Sequence, residues 1–405
     1  MRRLSSCRFA LVLAVSSVAF TNVSLAQSNL PATAPASRPA PPPLFAEVVK
    51  QHFSQWDKNN DGTLTKSEID AAVTNHAYRD EAAAAIAAIK LVVRGGKYTL
   101  PPITQAYLVG SPLRETAMTN ASSVGLDDPA QPKQTGQAPA FQPRYRSALI
   151  RLHRISRELF PQALPALDAC HQGPLGDCYF VSVVGAMVYR NPAEVKARFT
   201  RNDDGSTTVA FGNGHNLQVP PLSDAEIAIS STASTNGLWL TVLENAFGKL
   251  REASLPAGTE DAPDTDAIAH GGKPGYVITA LAGYKTKSFV LMLAKGQHHT
   301  AQYPTNLIQD LSAALLDHRL AAATTPTNSL PPGINPKHAY AILSYNPDTT
   351  TVRLWNPHGN TFKPKGPDGP QYGYATKAGQ FDIPMKDLLA IYRSVIIETP
   401  VANKP

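Results

Sequence analysis

Cysteine is nearly absent from this chain, with three in 405 residues: Cys7, Cys170 and Cys178. So few thiols exclude a disulfide-built scaffold and make each one worth explaining. Long apolar runs are missing as well. The run from Phe9 to Phe20 is 12 residues, and nothing after it approaches the ~18 uninterrupted apolar residues of a membrane-crossing helix. Charge of one sign is also scarce, with 37 Lys and Arg against 31 Asp and Glu. Three of the basic residues, Arg2, Arg3 and Arg8, precede or abut the apolar run, and without them the excess falls from six to three. That is too little for the basic footprint of a nucleic-acid binder.

Proline, by contrast, is abundant at 35 residues, about twice the share of an average chain. It marks the spacers. The basic start, the short apolar run and Ser24-Leu25-Ala26 read as a cleaved secretory signal over residues 1–26. The protein is therefore expected to be secreted or periplasmic. A buried N-terminal helix is the alternative, but the Ala/Pro/Ser-rich residues 27–43 give it nothing to pack against and read as a linker. From Leu44 to Trp56 apolar residues recur at three- and four-residue intervals, the stripe of an amphipathic helix. A compact helical unit is expected over 44–110. A second polar, proline-rich linker is expected over 111–145, and a mixed helix and strand domain over 146–400, with its β-formers concentrated in Ala339 to Tyr345, Thr351 to Trp355 and Val395 to Glu398.

Residues 57–68 read Asp-Lys-Asn-Asn-Asp-Gly-Thr-Leu-Thr-Lys-Ser-Glu. Asp57, Asn59 and Asp61 place hard oxygens on alternate residues, Gly62 permits a sharp turn, and Thr63 offers its carbonyl. Thr65 supplies an oxygen directly or through water, and Glu68 closes the shell with two oxygens from the start of the next helix. The bland alternative is a solvated Asp/Asn turn. The pattern resembles the EF-hand family over about residues 44–75, which implies Ca2+ as the ligand. No second ligand set follows, and Tyr98-Thr99-Leu100 is expected to pair with Thr63-Leu64-Thr65 as a ligand-free partner.

Gln172-Gly173-Pro174-Leu175-Gly176-Asp177-Cys178-Tyr179-Phe180 sets a glycine-rich turn before a cysteine and an apolar helix. Asp177 reads as the N-cap. A thiol at a helix N-terminus sits where the dipole favours the thiolate, and the Gln172 amide is placed to steady an oxyanion. A nucleophile of this kind needs a base and a group to orient it. His338 stands just before one strand and Asn356 just after the next, so antiparallel pairing would bring them together. Asn356 in that role, where a transferase of the transglutaminase kind uses aspartate, speaks for a peptidase. Cys170 reads as a core thiol, with a disulfide to Cys178 as the alternative.

These residues resemble the calpain family of papain-like cysteine proteases, whose Q-G-x-L-G-D-C-W-F signature is met except for Tyr179 in place of tryptophan. Leu238-Trp239-Leu240-Thr241-Val242-Leu243-Glu244-Asn245-Ala246-Phe247 is similar to the family's L-W-x-x-L-L-E-K-A-Y helix. His338-Ala339-Tyr340 and Asn356-Pro357-His358-Gly359 are similar to G-H-A-Y and N-P-W-G, with Lys337 replacing a glycine and His358 a tryptophan. The resemblance implies an α+β fold with a helical Cys lobe and a β-rich His/Asn lobe. It also implies Cys178 as nucleophile, His338 as base, Asn356 as orienting residue and Gln172 as oxyanion donor, acting on polypeptides. The missing tryptophan implies a wetter His/Asn pair. A domain that has lost turnover and serves as a calcium-dependent binding module is the rival reading.

Overall fold

The computed structural model describes residues 42–95, 98–111, 139–253, 264–291, 306–327 and 330–402. The expected signal segment and most of both expected linkers lie outside them. These described residues form one compact unit.

Four helices come first: α1 (Phe45–Trp56), α2 (Lys66–Val73), α3 (Asp80–Arg94) and α4 (Gln105–Val109). The α1 stripe of Phe45, Val48, Val49, Phe53 and Trp56 is buried. So are ten of the fifteen residues of the alanine-rich α3, which lies at the centre of the group. Helix α5 (Phe141–Arg154) begins inside the stretch expected as linker. Pro143 had suggested a break there, but it falls in the first helical turn, where a missing N–H costs nothing. Phe141 stacks on Phe45 with ring centroids 5.2 Å apart, and Gln142 Oε1 accepts the Phe45 N–H at 2.8 Å.

After α5 come α6 (Cys178–Arg190), α7 (Pro192–Lys196), the strands β1 (Phe199–Arg201), β2 (Thr207–Ala210) and β3 (Asn216–Val219), and α8 (Asp224–Ile229). The three strands form an antiparallel sheet in sequence order. Helix α8 buries Ala225, Ile227, Ala228 and Ile229 in the same core as α1–α5. Asp224 at its start accepts hydrogen bonds from Arg79 and Arg157 and from the Asp80 N–H. The sequence reading set residues 44–110 apart; in the structure their core runs on into α5 and α8.

Next come α9 (Trp239–Glu252), α10 (Pro274–Ala282), β4 (Tyr284–Val290), α11 (Leu307–Leu316), β5 (Ala321–Thr324), β6 (Ala339–Asn346), β7 (Thr351–Trp355), β8 (Gln380–Pro384), α12 (Met385–Ile391) and β9 (Ser394–Ala402). Six strands make one antiparallel sheet in the order β4-β9-β5-β6-β7-β8. The pleat divides two cores: Ala339, Ala341 and Leu343 face α6, α9 and α10, while Tyr340 and Ile342 face the core shared with α11 and α12. Helix α6 packs on β5 and β6. At Gly185 a Cβ would come within 2.2 Å of the Trp355 ring, so only glycine lets α6 approach this closely.

Two ion-pair clusters tie the helical part to the rest. Lys90, 1% exposed, sits between Asp70 of α2 and Asp266 of the short 3-10 turn Asp264–Ile268, and Arg94 reaches Asp266 at 3.3 Å. A buried lysine is tolerable because two carboxylates meet it. Asp224 with Arg79 and Arg157 is the second cluster.

Candidate active site

Cys178 is the first residue of α6, partly exposed and in no disulfide. The turn before it is held from four directions. His171 exchanges backbone hydrogen bonds with Thr232, and the Gly173 N–H donates to Ser231 Oγ at 3.0 Å. The Gly176 N–H donates to the Ala269 carbonyl at 3.1 Å, and the Gln172 N–H to the Pro357 carbonyl at 2.8 Å. The Gln172 side-chain amide donates to the Leu175 carbonyl at 2.8 Å, which uses one of its two N–H groups. Asp177 does not cap α6: neither of its oxygens meets a donor. Cys170 is a free, buried thiol that donates to the Ala166 carbonyl, and burial pushes it up.

His338 and Asn356 flank paired strands. In the β6–β7 register Ala341 faces Trp355, so the residue before one strand and the residue after the other share one end of the ladder. Asn356 Oδ1 lies 2.9 Å from His338 Nε2. The same Oδ1 accepts the His358 N–H at 3.1 Å, while Asn356 Nδ2 donates to Asn335 Oδ1 at 2.9 Å. These partners fix the amide orientation, so Nε2 carries the imidazole hydrogen and Nδ1 keeps the lone pair of a base. The His338 backbone is tied at both its N–H and its carbonyl to Thr325. Burial pushes His338 well below the usual imidazole range, and His358 adds to that. The ring is thus neutral and proton-accepting at neutral pH. Burial pushes the Tyr340 hydroxyl up, with Cys178 contributing to the rise; the thiol and β6 are within electrostatic reach of each other.

The departures from the family pattern have visible consequences. His358 occupies the place of the shielding tryptophan and stacks on His338, with centroids 4.5 Å apart and ring planes 28° from parallel. Burial lowers it to about 4, so it is neutral except in strong acid. It covers one face of the His338 imidazole with a ring smaller than an indole. Lys337 stands at φ 48°, a left-handed backbone that glycine adopts at no steric cost and lysine does not. Tyr179 is buried beside Phe247.

The 57–68 loop lies far along the chain from this turn and is self-contained. Asp57 accepts from the Asp61 and Gly62 N–H groups, Asn59 from Asp61, and Asp61 from Thr63. Gly62 has φ 84°. Glu68 Oε1 accepts from the Lys58 N–H and Oε2 from Thr65, and these bonds, led by that to the Thr65 N–H, hold its carboxyl below the usual range. Thr65 caps α2 in a reciprocal box with Glu68. The pairing segment differs from the expected Tyr98-Thr99-Leu100: Thr63 bridges Thr104, and the Leu64 N–H donates to Ile103. Pro101 and Pro102 delay the extended stretch to the residues just before α4.

Among the described residues no three His, Cys, Asp or Glu side chains converge as a metal cluster. The loop's carboxylates are instead spread round it on backbone amides. The donor set still fits Ca2+ in kind, because it mixes the carboxylates of Asp57, Asp61 and Glu68 with the Asn59 amide and the Thr63 carbonyl. Coordination would require Glu68 to exchange its loop amides for the ion.

Residues 129–367, more than half of the chain, match the calpain family cysteine protease domain. The match contains Gln172, Cys178, His338 and Asn356 and excludes the 57–68 loop. A stretch of 100 residues, 23% of this chain, is 34% identical to the calpain-type cysteine protease DEK1 of Zea mays, of which it covers 5%. The chain thus spans a small part of that relative's length.

Proposed function

The chain belongs to the calpain family of cysteine proteases, and on that premise we propose that it is a calcium-binding endopeptidase working through Cys178, His338 and Asn356. The observation that carries this reading is the neutral His338 imidazole, held by Asn356 through Nε2 with Nδ1 left basic, in a chain whose one partly exposed described thiol opens α6. His338 takes the Cys178 proton, and the thiolate attacks the peptide carbonyl carbon. The amine leaves with that proton, and water, deprotonated by His338, splits the acyl-enzyme. The Cys178 backbone N–H and the spare Gln172 N–H would face the oxyanion. The intact His338–Asn356 pair favours an enzyme over a binding module.

Calcium would bind Asp57, Asn59, Asp61, Thr63 and Glu68, with Thr65 contributing as cap or through water; it would supply charge neutralisation and closure of the loop. A physical route from loop to nucleophile supports calcium dependence. Helix α2, which Glu68 enters, carries Asp70; Asp70 meets Lys90, Lys90 meets Asp266, and the turn after Asp266 supplies the Ala269 carbonyl that holds the Gly176 N–H. The basic, apolar N-terminus is consistent with export. Polypeptides are the substrate class, and no described helix is long and apolar enough to cross a membrane. An epoxysuccinyl inhibitor is the test. It should label Cys178 stoichiometrically, faster with calcium than with chelator, and should fail on a His338→Ala variant; absence of label on the folded, calcium-loaded chain would overturn the reading.

A further inference from the structure

Asp177 is the unexplained group in the nucleophile turn. It is completely buried, caps nothing, and has no donor for either carboxyl oxygen. Within side-chain hydrogen-bonding reach of it is Glu244 of α9, also completely buried, whose two oxygens both accept from the Ser231 N–H at 3.1 and 2.8 Å. Two ionised carboxylates facing each other are two acceptors and make no bond; one added proton turns the contact into a hydrogen bond.

We propose that Asp177 is a positioning residue that works as a neutral acid, donating its carboxyl proton to Glu244 and so tying the residue before the nucleophile to α9. The proposal rests on Cys178 being the nucleophile. The surroundings agree on charge. Arg151 of α5 acts on both carboxyls and donates to the Ser230 carbonyl; Arg94 of α3 also acts on Asp177 but is paired with Asp266. On its own helix Asp177 faces Tyr179, whose hydroxyl burial pushes up and Asp177 pushes further. A pair sharing one proton carries one negative charge against Arg151; a pair without it carries two. Burial first, and Glu244 second, push Asp177 well above the usual carboxylate range.

The arrangement serves the thiol. An ionised carboxylate adjacent to Cys178 would disfavour the thiolate, whereas a neutral one leaves the helix N-terminus to favour it. It also fixes the turn, because Glu244 holds Ser231 and Ser231 Oγ holds Gly173. Since the folded value is raised, the contribution to stability is complete at low pH and is lost as pH rises through the folded value.

The test compares Asp177→Asn with Asp177→Ala in the full chain by thermal melting from pH 6 to pH 10 and by the alkylation rate of Cys178, read by mass. Neither readout requires peptidase turnover, so failure here and failure of the peptidase reading are separable. Asparagine is a permanently neutral donor to Glu244. The Asn variant should melt within a few degrees of the parent at pH 6, keep an alkylation rate within about threefold, and lack the alkaline fall in melting temperature expected of the parent. The Ala variant should melt well below both. An Asn variant that misfolds, melts as low as the Ala variant, or keeps the parent's alkaline fall overturns the proposal.

Discussion

Two helix starts in this protein use similar residues in opposite ways. At α2 the turn satisfies itself: Thr65 accepts the Glu68 N–H, Glu68 returns to Thr65, and the Asp57, Asn59 and Asp61 side chains take the loop's own amides. At α6 the acidic residue in the capping position holds no backbone donor, and the turn is held from Thr232, Ser231, Ala269 and Pro357. A self-capped turn is ordered by local chemistry, with its side-chain oxygens on its own amides. A turn clamped from outside takes its order from distant segments and leaves its acidic side chain off the first amides of the helix.

The contrast is sharpest in its response to single substitutions. Ser231→Ala strands the buried Gly173 N–H and should cost about 2 kcal/mol; it should also slow Cys178 alkylation several-fold while leaving calcium affinity by calorimetry unchanged. Thr65→Ala should cost about 1 kcal/mol by denaturant unfolding, as lost caps do, and should weaken calcium binding without moving the pH profile of alkylation. If either variant disturbs both properties equally in the presence of saturating calcium, the two turns are not held by separate sets of bonds as described. The smallest effect is expected at Lys337→Gly, where relief of the left-handed backbone should raise stability by about 0.5–1 kcal/mol and leave both turns as they were.

The same contrast explains what the sequence conveyed. The 57–68 loop and the helix behind Cys178 were legible because their determinants are neighbours in the chain. So were β6 and β7, whose β-branched and aromatic residues lie between turn signals, and through them the meeting of His338 with Asn356. Strand β5 was not legible. Its Ala321, Ala322 and Ala323 are helix formers, extended only because β6 and β9 pair with them from both sides. The reading of Asp177 as a cap failed for a related reason: a carboxyl that finds a second buried carboxyl 67 positions away cannot be recognised from its neighbours. Helix α5 was hidden because Gln142-Pro143 reads as a break unless Phe45 is known to stack on Phe141.

The central claim is that the Cys178 thiol, served by His338 and Asn356, hydrolyses polypeptides. Hydrolysis of casein by the full chain with calcium and reductant, beside the Cys178→Ala variant, tests it most directly. The account predicts cleavage by the parent and none by a variant that melts at the parent's temperature; cleavage that persists in Cys178→Ala, or its absence from the folded parent, would contradict it.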